Sequence, residues 1–113
     1  MTGVKMNLLE LSCTPQHGQS PLADNTVKQL LSTLPDWEIV GIELRKTYRF
    51  ANYHETMAFV NALAWIANQE DHHPDMSVHY NRAVVNFSTH DAGGLTLNDF
   101  ICAAKTEALF RRP

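Results

Sequence analysis

The segment from Met76 to Thr89 leaves this chain few ways to fold. Met76, Val78 and Tyr80, then Ala83, Val85 and Phe87, recur at every second position, the period of a strand with one face buried. Asn81-Arg82 divides the run, and a two-residue connection predicts a tight hairpin. That turn sets Tyr80 opposite Ala83, Val78 opposite Val85 and Met76 opposite Phe87, all on one side, because opposed residues of an antiparallel pair share a face. Ser77, His79, Val84 and Asn86 take the other side, and continuing the alternation adds Ser88 and His90. A hairpin with one apolar face needs a cover.

Helical patterns on both sides in sequence supply it. Asp24 is placed to cap a helix carrying Val27, Leu30, Leu31 and Leu34, which Pro35 ends. Trp37 to Val40 and Leu44 to Phe50 read as two strands joined across Gly41, with Leu44, Tyr48 and Phe50 on one face and Arg45, Thr47 and Arg49 on the other. Asn52 and Glu55 form a capping-box-like start to a helix reaching about Gln69. Its apolar residues fall in two rows, Met57, Val60, Ala64 and Ala67 beside Phe59, Leu63 and Ile66, which predicts either deep burial or a subunit contact. Gly93-Gly94 breaks the chain, and Thr96 with Asp99 opens a last helix to about Phe110, with Leu97, Phe100, Ile101, Ala104 and Ala108 inward. The order is α-β-β-α-β-β-α, an α+β fold with a four-stranded antiparallel sheet and helices packed on one face. Residues 1–21 hold Pro15, Gly18 and Pro21 with little periodicity and read as an extended or mobile N-terminal arm, leaving 22–113 as one domain.

Composition narrows the function classes. A formal charge of -3 with scattered Lys and Arg, apart from Arg111 and Arg112, argues against nucleic acid as the main partner. The longest apolar stretch, Ala62 to Ala67, is too short to cross a bilayer, and no charged leader precedes an apolar run, so the chain is expected to be cytoplasmic and free of membrane. Cys13 and Cys102 permit a single disulfide, although Cys102, within an apolar helical pattern, reads as a buried thiol suited to a reducing compartment.

Four of six histidines lie between positions 72 and 90. His72 and His73 stand at the end of the long helix, and Pro74 holds His73 in an extended conformation, so the two rings diverge. An imidazole titrates near pH ~6.5, which suits general acid–base work. His90 ends the last strand in the run Ser88-Thr89-His90-Asp91, whose hydroxyls and main-chain groups suit a flat polar heterocycle. His17, His54 and His79 read as ordinary surface histidines. A metal site is the competing reading. Adjacent histidines rarely ligate one ion, however, no Cys joins them and no His-x-x-x-His pair occurs, while Cys13 and His17 are too few ligands for a second site, so no metal is expected.

Glu70-Asp71-His72-His73-Pro74, with Tyr80 six positions past the proline, His90 ten further on and Asp99 nine beyond that, resembles the signature of the pterin-4a-carbinolamine dehydratases. Leu34-Pro35-Asp36-Trp37, Ser88-Thr89-His90 and Gly94-Leu95-Thr96-Leu97-Asn98-Asp99-Phe100 fit as well, and the likeness spans about residues 22 to 109. The resemblance implies a hydro-lyase that dehydrates 4a-hydroxytetrahydropterin to the quinonoid dihydropterin, without metal or redox cofactor, in the recycling of tetrahydropterin for aromatic amino acid hydroxylases. It implies His72, His73 and His90 as catalytic residues. His72 and His90 flank the reacting hydroxyl, His73 positions the ring, and Asp71, Ser88, Thr89 and Asp91 complete the pterin site. Asp99 is then expected to cap its helix and support that wall. It further implies a homodimer or homotetramer, and an alternative life as a non-catalytic regulatory or dimerisation module of the same fold. One departure is Asn68, where many members carry an acidic residue four positions before the first histidine.

Overall fold

A computed structural model describes residues 7–16 and 18–110, so His17, Arg111 and Arg112 lie outside the described residues. The elements run α1 (Asp24–Leu31), β1 (Glu38–Val40), β2 (Glu43–Arg49), α2 (Tyr53–Glu70), β3 (Asp75–Val78), β4 (Arg82–Phe87) and α3 (Leu97–Phe110), with 3-10 turns at Leu8–Glu10 and His90–Ala92. The four strands form one antiparallel sheet in the order β1-β2-β4-β3. This is the α+β architecture the patterning predicts.

One face of the sheet carries Leu44, Tyr48, Ala83, Val85 and Phe87, all buried beneath α2 and α3. Thr47, Arg49 and Ser77, on the opposite face, are exposed. Burying each large apolar side chain of that inner face contributes about 1.5–3 kcal/mol. Lys46 also sits on the inner face, between Leu44 and Tyr48. It is accommodated by an ion pair with Glu107 of α3, whose carboxylate also accepts hydrogen bonds from Tyr48 Oη (2.5 Å) and Trp37 Nε1 (3.2 Å). Burial opposes ionisation of Glu107, but its bonds to Lys46, Tyr48 and Trp37 and the Lys46 charge outweigh it and hold the carboxyl below its usual range.

The hairpin is present with its register moved by two residues. Val78 pairs with Ala83, Met76 with Val85 and Asp75 with Asn86, and the turn is Tyr80-Asn81, closed by His79 N–H donating to Arg82 O at 2.9 Å. A slip of two keeps every residue on its face, so alternation alone does not distinguish the registers. The β2–β4 ladder does: it reaches Arg82, and Phe50 N–H extends it by donating to Asn81 O at 2.8 Å.

The helix ends differ in detail. Ala23 rather than Asp24 is the N-cap of α1, with no side-chain cap bond. Asn52 caps α2 as expected, accepting from Glu55 N–H at 2.9 Å, while the Glu55 carboxylate reaches back to Ala51 N–H. The buried stripe of α2 is Thr56, Phe59, Leu63 and Ala67, which takes Phe59 and Leu63 from one predicted row, Ala67 from the other and Thr56 from neither. Ala64 is exposed, as is Ala108 on α3, because α2 and α3 cover the sheet with narrower faces than the sequence offers. Trp65 stands 64% exposed on the outer side of α2.

The N-terminal segment is extended but docked. Leu8 is buried in the core, Leu9 O accepts from Lys105 Nζ at 3.2 Å, and Cys13 N–H donates to Glu70 Oε1 at 2.8 Å. Further on, Leu22 N–H donates to Leu95 O at 2.8 Å, and Pro21 packs where a Cβ on Gly94 would fall, 2.9 Å from the proline Cβ.

Candidate functional site

Helix α2 ends in a Schellman motif. Asp71 adopts a left-handed conformation (φ 53°), His72 N–H donates to Ala67 O at 3.1 Å and Asp71 N–H to Asn68 O at 3.3 Å. This turn, before Pro74 can act, swings the chain off the helix axis and directs the next residue inward. The His72 ring lies 11° from parallel with Phe87, centroids 6.1 Å apart, and its side chain is only 11% exposed.

His72 Nε2 sits 2.6 Å from Asp99 Oδ1, and Asp99 is wholly buried. The second carboxylate oxygen accepts from Thr89 Oγ1 at 2.8 Å and from Thr96 N–H at 3.0 Å. With the Thr89 proton committed there, Thr96 Oγ1 donates to Thr89 Oγ1 across 2.8 Å. The carboxylate is an acceptor only, so Nε2 carries the proton and Nδ1 is the nitrogen left free to exchange one. Asp99 thus caps its helix, as expected, and bonds to His72 and Thr89 beside the cavity. It joins the end of α2, the end of β4 and the start of α3.

These residues border a polar cavity of about 380 Å³, lined on one side by Asp71, His72, Thr89 and Asp91 and on the other by Cys13, Thr14, Pro15 and Gln16, with Glu70 and Asn98 between. The volume suits a bicyclic heterocycle, at the small end of ligand sites. A larger cavity of about 620 Å³, bordered by Phe50, Phe59 and Phe110, contains none of the predicted site residues and has few polar groups beyond Arg49 and Glu55, so the chemistry points to the smaller one.

The predicted residues divide accordingly. Asp71, His72, Thr89 and Asp91 line the cavity, while His73, Ser88 and His90 do not. His90 begins the 3-10 turn instead of ending a strand; it is exposed, with Nε2 3.4 Å from Ser88 Oγ. β4 stops at Phe87, where pairing with β2 and β3 ends, yet the alternation of burial runs on through Thr89, which faces inward and donates to Asp99. His73 is exposed as well.

The N-terminal wall went unseen in the sequence. Asn98 holds it, accepting from Thr14 N–H at 3.1 Å and donating to Thr14 O at 2.7 Å, as a neighbouring strand would. The only available hint was the apolar spacing of Leu8 and Leu11. Near Asn68, Glu70 is engaged with Cys13 N–H and lies 3.6 Å from Lys105 Nζ, while Asp71 borders the cavity. Among the described residues no group of three or more His, Cys, Asp and Glu is arranged to hold a metal ion, and no helix is long and apolar enough to cross a membrane.

Comparison with known proteins gives a consistent result. Residues 20–109 match the family model described as pterin 4 alpha carbinolamine dehydratase. A Stenotrophomonas maltophilia (strain R551-3) protein provisionally named pterin-4-alpha-carbinolamine dehydratase is 58% identical over 105 residues, 90% of each chain. A Xanthomonas oryzae pv. oryzae (strain MAFF 311018) protein, provisionally given the same name, is 54% identical over 106 residues, covering 91% of this chain and 90% of its own. Among solved structures, a Brucella melitensis protein described as a transcriptional coactivator/pterin dehydratase superposes with a TM-score of 0.78 at 26% identity, over 81% of this chain and 100% of its own. A pterin dehydratase-like protein described as a RuBisCO assembly factor in the alpha-carboxysome shares the fold at a TM-score of 0.54 and 23% identity, over 65% of this chain and 84% of its own.

Proposed function

The chain belongs to the pterin 4 alpha carbinolamine dehydratase family, and on that premise we propose that it removes water from a 4a-hydroxytetrahydropterin by histidine acid–base catalysis. The observation that carries this reading is the contact between His72 and the buried Asp99 at the wall of a polar cavity. Loss of water breaks the C4a–O bond with the electron pair leaving on oxygen. The N5–H pair becomes the C4a=N5 double bond, and the N5 proton departs. The leaving hydroxyl needs a proton and N5 must lose one, so an acid and a base are both required. His72, with Nε2 tied to Asp99, offers Nδ1 for one transfer; His90, whose ring lies outside the cavity lining between the lining residues Thr89 and Asp91, must turn in to serve as the partner for the other, and His73, likewise outside the lining, positions the ring from the rim. Asp71, Thr89 and Asp91 supply polar contacts to the pterin, with Ser88 at its edge.

In this reading the protein works in the cytoplasm, replenishing tetrahydropterin for aromatic amino acid hydroxylases, as a homodimer or homotetramer. The exposed Trp65 beside Ile66 and Leu9 supports self-association. Stopped-flow absorbance of freshly generated 4a-hydroxytetrahydropterin tests the activity. Acceleration that survives chelator and falls at least about 100-fold in His72→Ala and His90→Ala is expected. Absence of acceleration by the pure wild-type protein would leave a regulatory or dimerisation module, a reading favoured by the coactivator role in the description of the Brucella structure.

A further inference from the structure

Two thiols 89 positions apart in the chain, Cys13 and Cys102, meet with 3.5 Å between their sulfur atoms. The approach is held from both sides. Cys13 N–H is bonded to Glu70 at the end of α2, and the next residue, Thr14, is bonded twice to Asn98 on α3, one turn before Cys102. The buried Leu8 anchors the same segment in the core. Cys13 is half-buried and borders the cavity, where solvent and small solutes reach it, whereas Cys102 is buried.

We propose that Cys13 and Cys102 are an oxidisable dithiol, a modification site at which a hydroperoxide drives a reversible disulfide within one chain. A disulfide needs about 2.05 Å between sulfurs, so bonding requires a closing movement of about 1.5 Å, the scale of a side-chain rotation with slight backbone adjustment. Cys13 is the sulfur oxidised first. The Cys13 thiol gives its proton to solvent, its thiolate attacks an oxygen of hydrogen peroxide, the O–O bond breaks, and a sulfenic acid forms while the departing hydroxide takes a proton back and leaves as one water. The Cys102 sulfur then attacks the Cys13 sulfur, forming S–S and breaking S–O; the departing hydroxide takes the Cys102 proton and leaves as a second water. Two thiols lose two electrons, and hydrogen peroxide gains them. The hydrogen bond with Cys13 and burial push the Cys102 thiol's pKa up, which suits a group that waits protonated for an activated partner. The product would staple the Cys13–Gln16 wall of the cavity to α3, and with it the backbone near His72, whose carbonyl lies 4.0 Å from Cys102 Sγ.

The test is made on thiols alone and stands whether or not the dehydratase reading holds. The reduced full-length protein is exposed to hydrogen peroxide, quenched by unfolding with an alkylating reagent, and weighed intact without reductant. The expected result is loss of both thiols together, a monomer lighter by two hydrogens, a linked peptide pair containing Cys13 and Cys102, and full reversal by dithiothreitol. Cys102→Ala should instead accumulate added oxygen on Cys13, and Cys13→Ser should keep Cys102 free to alkylate. The proposal is overturned if the wild-type protein gains oxygen at Cys13 while Cys102 stays alkylatable, or if its disulfides join separate chains.

Discussion

Replacing Asp99 by Asn removes almost no volume yet disturbs three hydrogen bonds at once. The carboxylate accepts from His72 Nε2, Thr89 Oγ1 and Thr96 N–H. An amide has one acceptor oxygen and must choose. With its oxygen toward Thr89 and Thr96, its NH2 faces His72 and is satisfied only if Nε2 gives up its proton and Nδ1 takes one, reversing the tautomer. With the oxygen toward His72, an NH2 faces the Thr96 N–H, and a buried unpaired donor costs about 1–3 kcal/mol. The first arrangement should win, with a stability loss near 2 kcal/mol from weakening two charge-assisted bonds. In the proposed mechanism activity should fall much further, by about 10²–10⁴ in kcat, because the nitrogen proposed to exchange a proton with the substrate is now blocked. Stopped-flow kinetics on freshly made 4a-hydroxytetrahydropterin, paired with nitrogen-15 spectra of the His72 ring, separate this from simple loosening. A variant that keeps the Nε2–H tautomer, or whose kcat stays within about threefold of wild type, would refute the reasoning.

Three further expectations concern stability. Glu107→Gln should cost about 1–2 kcal/mol near neutral pH; because the folded Glu107 carboxyl lies below its unfolded value, this contribution is present above the ordinary carboxylate range and lost as pH falls through the lowered value. Denaturant melts of both proteins should therefore converge in acid, and a gap that widens there would contradict the network. Gly94→Ala places a methyl 2.9 Å from the rigid Pro21 ring and should destabilise by about 1–3 kcal/mol, read as a lower Tm and faster amide exchange at Leu22. Asp36 follows Pro35 at φ 75° in a turn closed by Trp37 N–H donating to Leu34 O at 3.2 Å; Asp36→Gly should stabilise by about 0.5 kcal/mol and Asp36→Val destabilise by about 1–2 kcal/mol, and equal effects would exclude backbone strain as the cause.

The sequence carried the fold further than it carried the site. Among the described residues, period-two and helical spacing located the four strands and three α-helices but neither 3-10 turn, because alternation records which side faces the core and Asn52 with Glu55 marks an end directly. It missed the two-residue slip at Tyr80-Asn81, since faces are blind to even shifts and the deciding ladder lies with β2. At the site, the family-like signature named Asp71, His72, Thr89 and Asp91, which meet at one cavity. The sequence could not show that His90 leaves the strand, because the burial alternation continues through Thr89 while strand pairing stops at Phe87 and a 3-10 turn takes over at His90. Nor could it show the wall at Cys13–Gln16, whose hold on α3 runs through backbone groups of Thr14 that any residue would offer.

Sharing one carboxylate among three elements has a dynamic consequence. His72, Thr89 and Thr96 are 27, 10 and 3 positions from Asp99, so a transient opening of the first turn of α3, which carries Asp99, breaks all three bonds together. Catalytic competence should then be all-or-none at the level of single molecules. If the proposed activity holds, the fraction able to turn over would track exchange of the amides around Thr96, and heating should silence it in step with opening of this corner, ahead of the sheet.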